Sequence, residues 1–390
     1  MIREISRRKC LRLWLCKPEY MERTKWENRF VLLRFWKKNY MMFLKDLKRF
    51  KMERLYDKLK AYSESDFYAF HMPGHKRNKT LLGIELPYDL DITEIDGFDD
   101  LHHADGILKE EQERAARVFG AEESHFLVNG STAGILSAVM GCTHRGDKIL
   151  VARHCHKSIY HAIYMNGLVP RYVYPEFDIS MHMNGEISKE DVAKALAAEP
   201  DIKAVVIVSP NYDGVVSDVK GIAEVAHSYR IPLIVDEAHG PHFGFHPAFP
   251  GRANDLGADV VINSLHKTLP SLTQTAILHI NGKLANRRRI KKYLDMLQSS
   301  SPSYIFMASL DACVDFVDGK CEEAFELYVE RLQKFREELK PLQHLQILRT
   351  EHYDISKVVI STANANITSP ELADRLRKEY HLEMEMTGGT

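Results

Sequence analysis

Three places in the chain gather residue types that could do chemistry, and each follows a run that reads as a β-strand. Gly130-Ser131-Thr132-Ala133-Gly134 lies between a strand at 125–128 and a helix at 132–140. Small residues there would let backbone N–H groups and hydroxyls approach a phosphate at the positive end of the helix. Taken alone, the segment reads more readily as an ordinary tight turn. Asp236 ends the apolar run 233–235 within Val235-Asp236-Glu237-Ala238-His239. An acid at the end of a buried strand can pair with a metal, a protonated heterocyclic nitrogen or an arginine, or merely cap a helix. Lys267 follows the run 260–263 in Ser264-Leu265-His266-Lys267. Apolar neighbours could desolvate it enough to make an amine nucleophile, although a lysine snorkelling at the surface would read the same way.

In combination the three say more than any one. A phosphate cradle, an acid at a strand end and a lysine supply the three handles of pyridoxal phosphate: its phosphate, its ring nitrogen and its aldehyde. On these residues the chain resembles the Orn/Lys/Arg decarboxylase group of fold type I pyridoxal-phosphate enzymes, from about residue 52 to the end. The resemblance also rests on Phe70-His71-Met72-Pro73-Gly74-His75-Lys76, Asp99-Asp100-Leu101-His102, His154-Cys155-His156-Lys157-Ser158, Tyr212-Asp213-Gly214 and Ser264 to Leu269.

The resemblance implies a role for each matching residue. Lys267 would form the Schiff base with the cofactor and Asp236 would partner its ring nitrogen. Ser131, Thr132, Ser264 and His266 would hold the phosphate, with Ala133 beside them. His156 would stack on the ring, and Ala238 and His239 would line its other side. The activity implied is decarboxylation of arginine, lysine or ornithine to the amine and CO2. The family's sites lie between subunits, which implies a homodimer at least, with 299–304 near the interface. A catalytically impaired cofactor-binding fragment, or an aminotransferase or lyase on the same fold, remain open alternatives.

These residues need a scaffold, and the rest of the pattern supplies an α/β one. Short β-branched runs alternate with helical patterns from about residue 115, the signature of βαβ units and a largely parallel sheet flanked by helices. Strands are expected at 125–128, 148–152, 203–208, 233–235, 260–263 and 275–280. Helices are expected at 132–140, 157–164, 219–229, 284–297, 304–316 and 322–339, and one capped by Ser188 running to 198. Beyond them, a strand at 357–361, a helix at 370–380 capped by Ser369 and a strand at 382–386 open a small α+β domain that is expected to be incomplete. The expected divisions are a basic extension at 1–51, an N-terminal segment at 52–115, a large cofactor-binding domain at 116–320 and the small domain at 321–390.

Charge separates the first of these from the rest. Residues 1–51 carry a net +11 and all three tryptophans, whereas residues 52–390 carry −12. Met52 opens a short amphipathic helix where the sign changes, and the working protein is expected to start there. The overall −1 argues against a uniformly basic coat for nucleic acid. The six acids Asp89, Asp91, Glu94, Asp96, Asp99 and Asp100 could attract a cationic substrate or simply form a solvated face. Six scattered cysteines without a C-x-x-C pair suggest neither a disulfide framework nor a zinc knuckle, and point to a reducing, cytoplasmic setting. No run approaches the ~18 apolar residues a membrane span requires. Val235 to His239 also spells a helicase box, but no G-x-x-x-x-G-K-[ST] loop precedes it, and no G-x-G-x-x-G or metal-ligand set occurs.

Overall fold

The computed structural model describes residues 53–179, 183–347 and 351–388. The basic segment 1–51 and the expected start at Met52 lie outside the described residues. By its internal contacts the chain divides into Met1–Glu53 and Arg54–Thr390, and every described element lies in the second unit.

Two helices, α1 (Leu55–Ser63) and α2 (Ile107–Phe119), lead into the first strand, β1 (Glu123–Leu127). Then follow α3 (Gly130–Cys142), β2 (Lys148–Ala152), α4 (Lys157–Asn166), β3 (Val169–Val173) and a small hairpin, β4 (Phe177–Asp178) with β5 (Met183–Asn184). The chain continues through α5 (Lys189–Ala198), β6 (Ile202–Val208), α6 (Val219–Ser228), β7 (Leu233–Asp236), β8 (Val260–Asn263), the four-residue α7 (Leu265–Thr268) and β9 (Ala276–Ile280). It ends with α8 (Arg287–Leu297), α9 (Tyr304–Val317), α10 (Glu322–Leu339), β10 (Gln346–Ile347), β11 (Ile360–Ser361) and α11 (Ser369–Tyr380).

Seven strands form one sheet in the order β1-β9-β8-β7-β6-β2-β3. Strands β3, β2, β6, β7 and β8 pair in parallel, while β9 runs antiparallel to both β8 and β1. Strand β1 therefore points the same way as β8. Side chains of β7 and β8 are buried at every position, as a parallel sheet covered on both faces requires. Alternation along a strand divides the core in two. Leu127 and Leu278 pack with Ile135, Ile159, Ile222 and Ile290 on one face, and Phe126 and Ile277 pack with Leu55, Leu108, Tyr304 and Phe243 on the other. The sheet is thus the middle layer of an α/β sandwich.

Several sequence expectations need correction. Strand β3 was not anticipated; Val169-Pro170-Arg171-Tyr172-Val173 forms the sheet's outer strand, where a proline lacking an N–H is tolerated. Helix α8 starts at Arg287 rather than 284, because the Asn286 side chain accepts the Arg289 N–H at 3.1 Å and caps it there. Helix α11 is capped by Thr368, not Ser369, since Glu371 reaches back to the Thr368 N–H at 2.9 Å to close a capping box. The expected strand 357–361 shrinks, among the described residues, to Ile360–Ser361, paired with Gln346–Ile347. Residues 382–386 form no strand, since alternation without a partner strand supplies no ladder. No described helix is long and apolar enough to cross a membrane.

Candidate active site

Because β1, β2, β7 and β8 share one direction, the loops after them leave the sheet at the same edge. Those loops carry Gly130 to Ala133, His156, Asp236 to His239, and Ser264 to Lys267. Open α/β sheets bind ligands at this carboxyl edge.

Asp236 is the last residue of β7, in register with Val208 of β6 and Ile262 of β8, and is only 3% exposed. Its Oδ1 accepts the Ala238 N–H at 3.1 Å. Burial pushes its pKa up to about 6, against the pull of that N–H and of the Lys267 charge. Lys267 sits on α7, which is tied down by the fully buried Leu265 and by its own N–H to Ser264 O at 3.1 Å. Its side chain opens into a cavity, yet desolvation still lowers its pKa, opposed by Asp236 and reinforced by Lys357. The two residues therefore feel one another across adjacent strand ends.

Around the amine stand two histidines. His239 Nε2 lies 2.8 Å from Lys267 Nζ. Burial, followed by the charges of Lys267 and Lys357, drives the His239 pKa down to about 3, so the neutral ring accepts from the ammonium. Tyr212 packs edge-on against that ring, with centroids 5.0 Å apart. His156 is the N-cap of α4, accepting the Ser158 N–H at 3.3 Å through Nδ1. It is exposed, and burial together with the Lys267 charge lowers its pKa.

The phosphate side is built separately. Asn129 leaves α3 without a side-chain cap, its Oδ1 accepting the Ser299 N–H instead. Gly130 turns the chain with φ +73°, and its N–H donates to Gln274 O at 2.9 Å. The next carbonyl, that of Thr275, accepts from His266 Nδ1 at 2.9 Å, which links the start of α3 to α7. This bond leaves His266 Nε2 for the cavity. Ser264 is fully buried, and its Oγ has no partner among the described residues. Ala238 is buried behind Asp236.

His239, His266 and Lys267 line one cavity of about 1230 Å³, together with Tyr212, Lys357 and Glu385. Ser131, Thr132 and Ala133 are not in its wall. None of the six acids between 89 and 100 lines it either. Asp99 instead accepts the N–H groups of Asp105, Gly106 and Leu108, and Asp100 caps the short turn that follows. Those two acids work on their own loop.

The residues fit pyridoxal phosphate. A buried orphan hydroxyl and an uncapped helix start suit a phosphate, and a buried carboxyl with one N–H partner suits a protonated ring nitrogen. Among the described residues no group of three or more His, Cys, Asp or Glu gathers for a metal ion.

Sequence reading gave no role to Lys357, Tyr212 or the His242–Asp354 pair, at 3.2 Å and almost wholly buried. Tyr212 stands in a motif of the resemblance, but Lys357 reads by sequence as the start of a strand. Nothing in its spacing from Lys267 links the two.

Comparison with known proteins gives a consistent picture. Residues 53–365 match the family described as Orn/Lys/Arg decarboxylase, major domain. The chain is 42% identical over 275 residues to the uncharacterized protein YaaO of Bacillus subtilis, covering 69% of this chain and 57% of that protein. It is 34% identical over 348 residues to the arginine decarboxylase of Bacillus subtilis, covering 85% of this chain and 71% of the relative. The solved constitutive lysine decarboxylase of E. coli superposes with a TM-score of 0.74 at 22% identity, over 93% of this chain and 59% of the other. That likeness establishes a fold type I architecture, and the chain spans only part of the length of the relatives that it matches.

Proposed function

The chain belongs to the Orn/Lys/Arg decarboxylase family, and from that premise we propose that it removes the α-carboxylate of a basic amino acid as CO2, using pyridoxal phosphate. Arginine is the first candidate substrate, because a relative that aligns with 85% of the chain carries that activity in its name. The observation that carries the reading is the pairing of Asp236 and Lys267: a buried carboxyl at the end of β7 and a cavity-facing amine just after the neighbouring β8, close enough for each charge to act on the other.

When bound, the cofactor supplies an aldehyde that captures amino groups and a protonated ring that accepts the electron pair left as CO2 departs. The protein's own residues do the rest. Asp236 keeps a proton on the ring nitrogen, and ionises more readily once that positive charge sits beside it. Lys267, with its pKa lowered, offers an unprotonated amine more often than an exposed lysine would. His239 holds that amine in place through its Nε2. Ser264 Oγ, His266 Nε2 and the first-turn N–H groups of α3 take the phosphate, together with Ser131, Thr132 and Ala133. His156 covers the ring and excludes water.

A homodimer or larger assembly is part of the same proposal. Phe70, Tyr68 and Met72 are 90%, 75% and 66% exposed, an apolar surface of a kind that water-facing chains seldom leave open. The reading is tested by CO2 release from arginine, lysine and ornithine by the cofactor-loaded chain. Release from at least one, lost in Lys267→Ala, is expected; release from none overturns it.

A further inference from the structure

A second lysine enters the Lys267 cavity from a distant stretch of chain. Residues 352–357 are fastened across the loop that holds Gly214. The Val216 N–H donates to His352 O at 3.1 Å and the Asp354 N–H to Gly214 O at 2.9 Å, while Tyr353 bridges to Val215. Arg336 Nη2 donates to Ile355 O at 2.8 Å and to Lys357 O at 2.7 Å. Buried Asp354 accepts from His242 Nε2 at 3.2 Å, and His242 Nδ1 meets Thr268 Oγ1, beside Lys267, at 3.0 Å. The lysine's stem crosses Gly214, where an added Cβ would come within 2.7 Å of Lys357 Cγ and 2.8 Å of its Cβ. Gly214 has φ +100°, so no other residue suits the position well.

The outcome is a half-buried ammonium in the wall of two cavities that Lys267 also lines, one of about 1230 Å³ and one of about 530 Å³. Asp354 and Glu385 act on it only at a distance, and burial is the largest influence, lowering its pKa. A fixed, partly desolvated cation of this kind is best compensated by an anion from the ligand.

We propose that Lys357 recognises the α-carboxylate of the substrate and so distinguishes the amino acid from the amine derived from it; this rests on the decarboxylase reading above. Of the charged groups in a basic amino acid, only the α-carboxylate is negative, and it is the group lost. The product amine brings no anion and faces Lys357 and Lys267 with positive charge alone, which favours its departure. The Asp354–His242–Thr268 chain of contacts ties the segment that carries Lys357 to the turn that carries Lys267.

The test is a rapid-mixing absorbance titration of the cofactor-loaded full chain with arginine, lysine or ornithine, and with the amine of each. Lys357→Met should weaken amino-acid binding by about tenfold or more, as expected for loss of a charged hydrogen bond. Amine binding should stay unchanged or tighten. Lys357→Arg should retain most of the preference, and Lys357→Gln, which keeps a polar stem without the charge, should reduce it even if Lys357→Met fails to fold. Equal weakening of amino acid and amine, or no change in either, overturns the role of Lys357 alone. A wild-type chain that responds to none of the amino acids overturns the decarboxylase reading as well.

Discussion

Lys267 Nζ and His239 Nε2 stand 2.8 Å apart, with the neutral histidine ring as the acceptor. With the histidine driven down to about 3, the bond holds the amine without competing for its proton. Lys267→Ala should therefore abolish the long-wavelength absorbance that added pyridoxal phosphate produces. Lys267→Arg should abolish it too, because a guanidinium stays protonated. His239→Phe should keep the band but form it roughly tenfold more slowly, for want of an oriented amine.

Asp236 carries a stability cost that the cofactor relieves. Its folded value of about 6 lies above the usual 3.8, so its contribution to stability is full below pH 3.8 and is lost as pH rises through about 6. Asp236→Asn should accordingly raise the stability of the cofactor-free protein above that pH, by on the order of 2–3 kcal/mol, with little gain near pH 4. The same variant should bind pyridoxal phosphate more weakly. Melting curves across pH, with and without cofactor, read both effects; a destabilised cofactor-free variant at pH 8 would count against the buried, uncompensated carboxyl.

Asp354 behaves in the opposite sense. Burial tends to raise its pKa, but His242 and the Ser356 N–H and hydroxyl outweigh it and hold the carboxyl below 3.8. That contribution is present above pH 3.8 and is lost as pH falls through the folded value. Asp354→Ala should cost roughly 2–4 kcal/mol at neutral pH by stranding buried His242. Urea titrations at successively lower pH should show the difference from wild type shrinking.

A third buried cluster ties the first helix to the body. Arg114 lies 2.7 Å from Asp311 and 3.0 Å from Glu111, and Asp311 also accepts the Leu55 N–H at 3.1 Å. Burial, then the charge of Asp311, lifts Glu111 to about 9, so this carboxyl is protonated at neutral pH. Glu111→Gln should hence cost less than about 1 kcal/mol, whereas Arg114→Met should cost roughly 3–5 kcal/mol by leaving buried Asp311 without its cation, Asp315 keeping Arg54 and Lys320. Denaturant midpoints for the two variants measure the contrast directly.

Much of the architecture was legible because β2, β6, β7 and β8 each contain a run of three to five consecutive apolar residues, and such runs have few other uses in a chain with this helix spacing. The outer strand β3 was hidden by Pro170 and Arg171, residues that only an edge position excuses. Asp236 and Lys267 were legible as site candidates because the first ends one buried strand and the second lies on the turn just after another. Asp354, His242 and Lys357 were not, because their contacts run between β7–α7 and a segment some ninety residues further on.

The amino-acid sequence alone determined the types of the elements, the alternation that divides the core, and which side chains end the strands. Those properties are local, set by backbone preferences and by side-chain period. Tertiary structure decided which loops share an edge, which lysine faces which, and which acids hold a proton. Protonation follows from desolvation and from neighbours through space, so Asp236 and Glu111 sit above the usual carboxyl range while Asp354 sits below it.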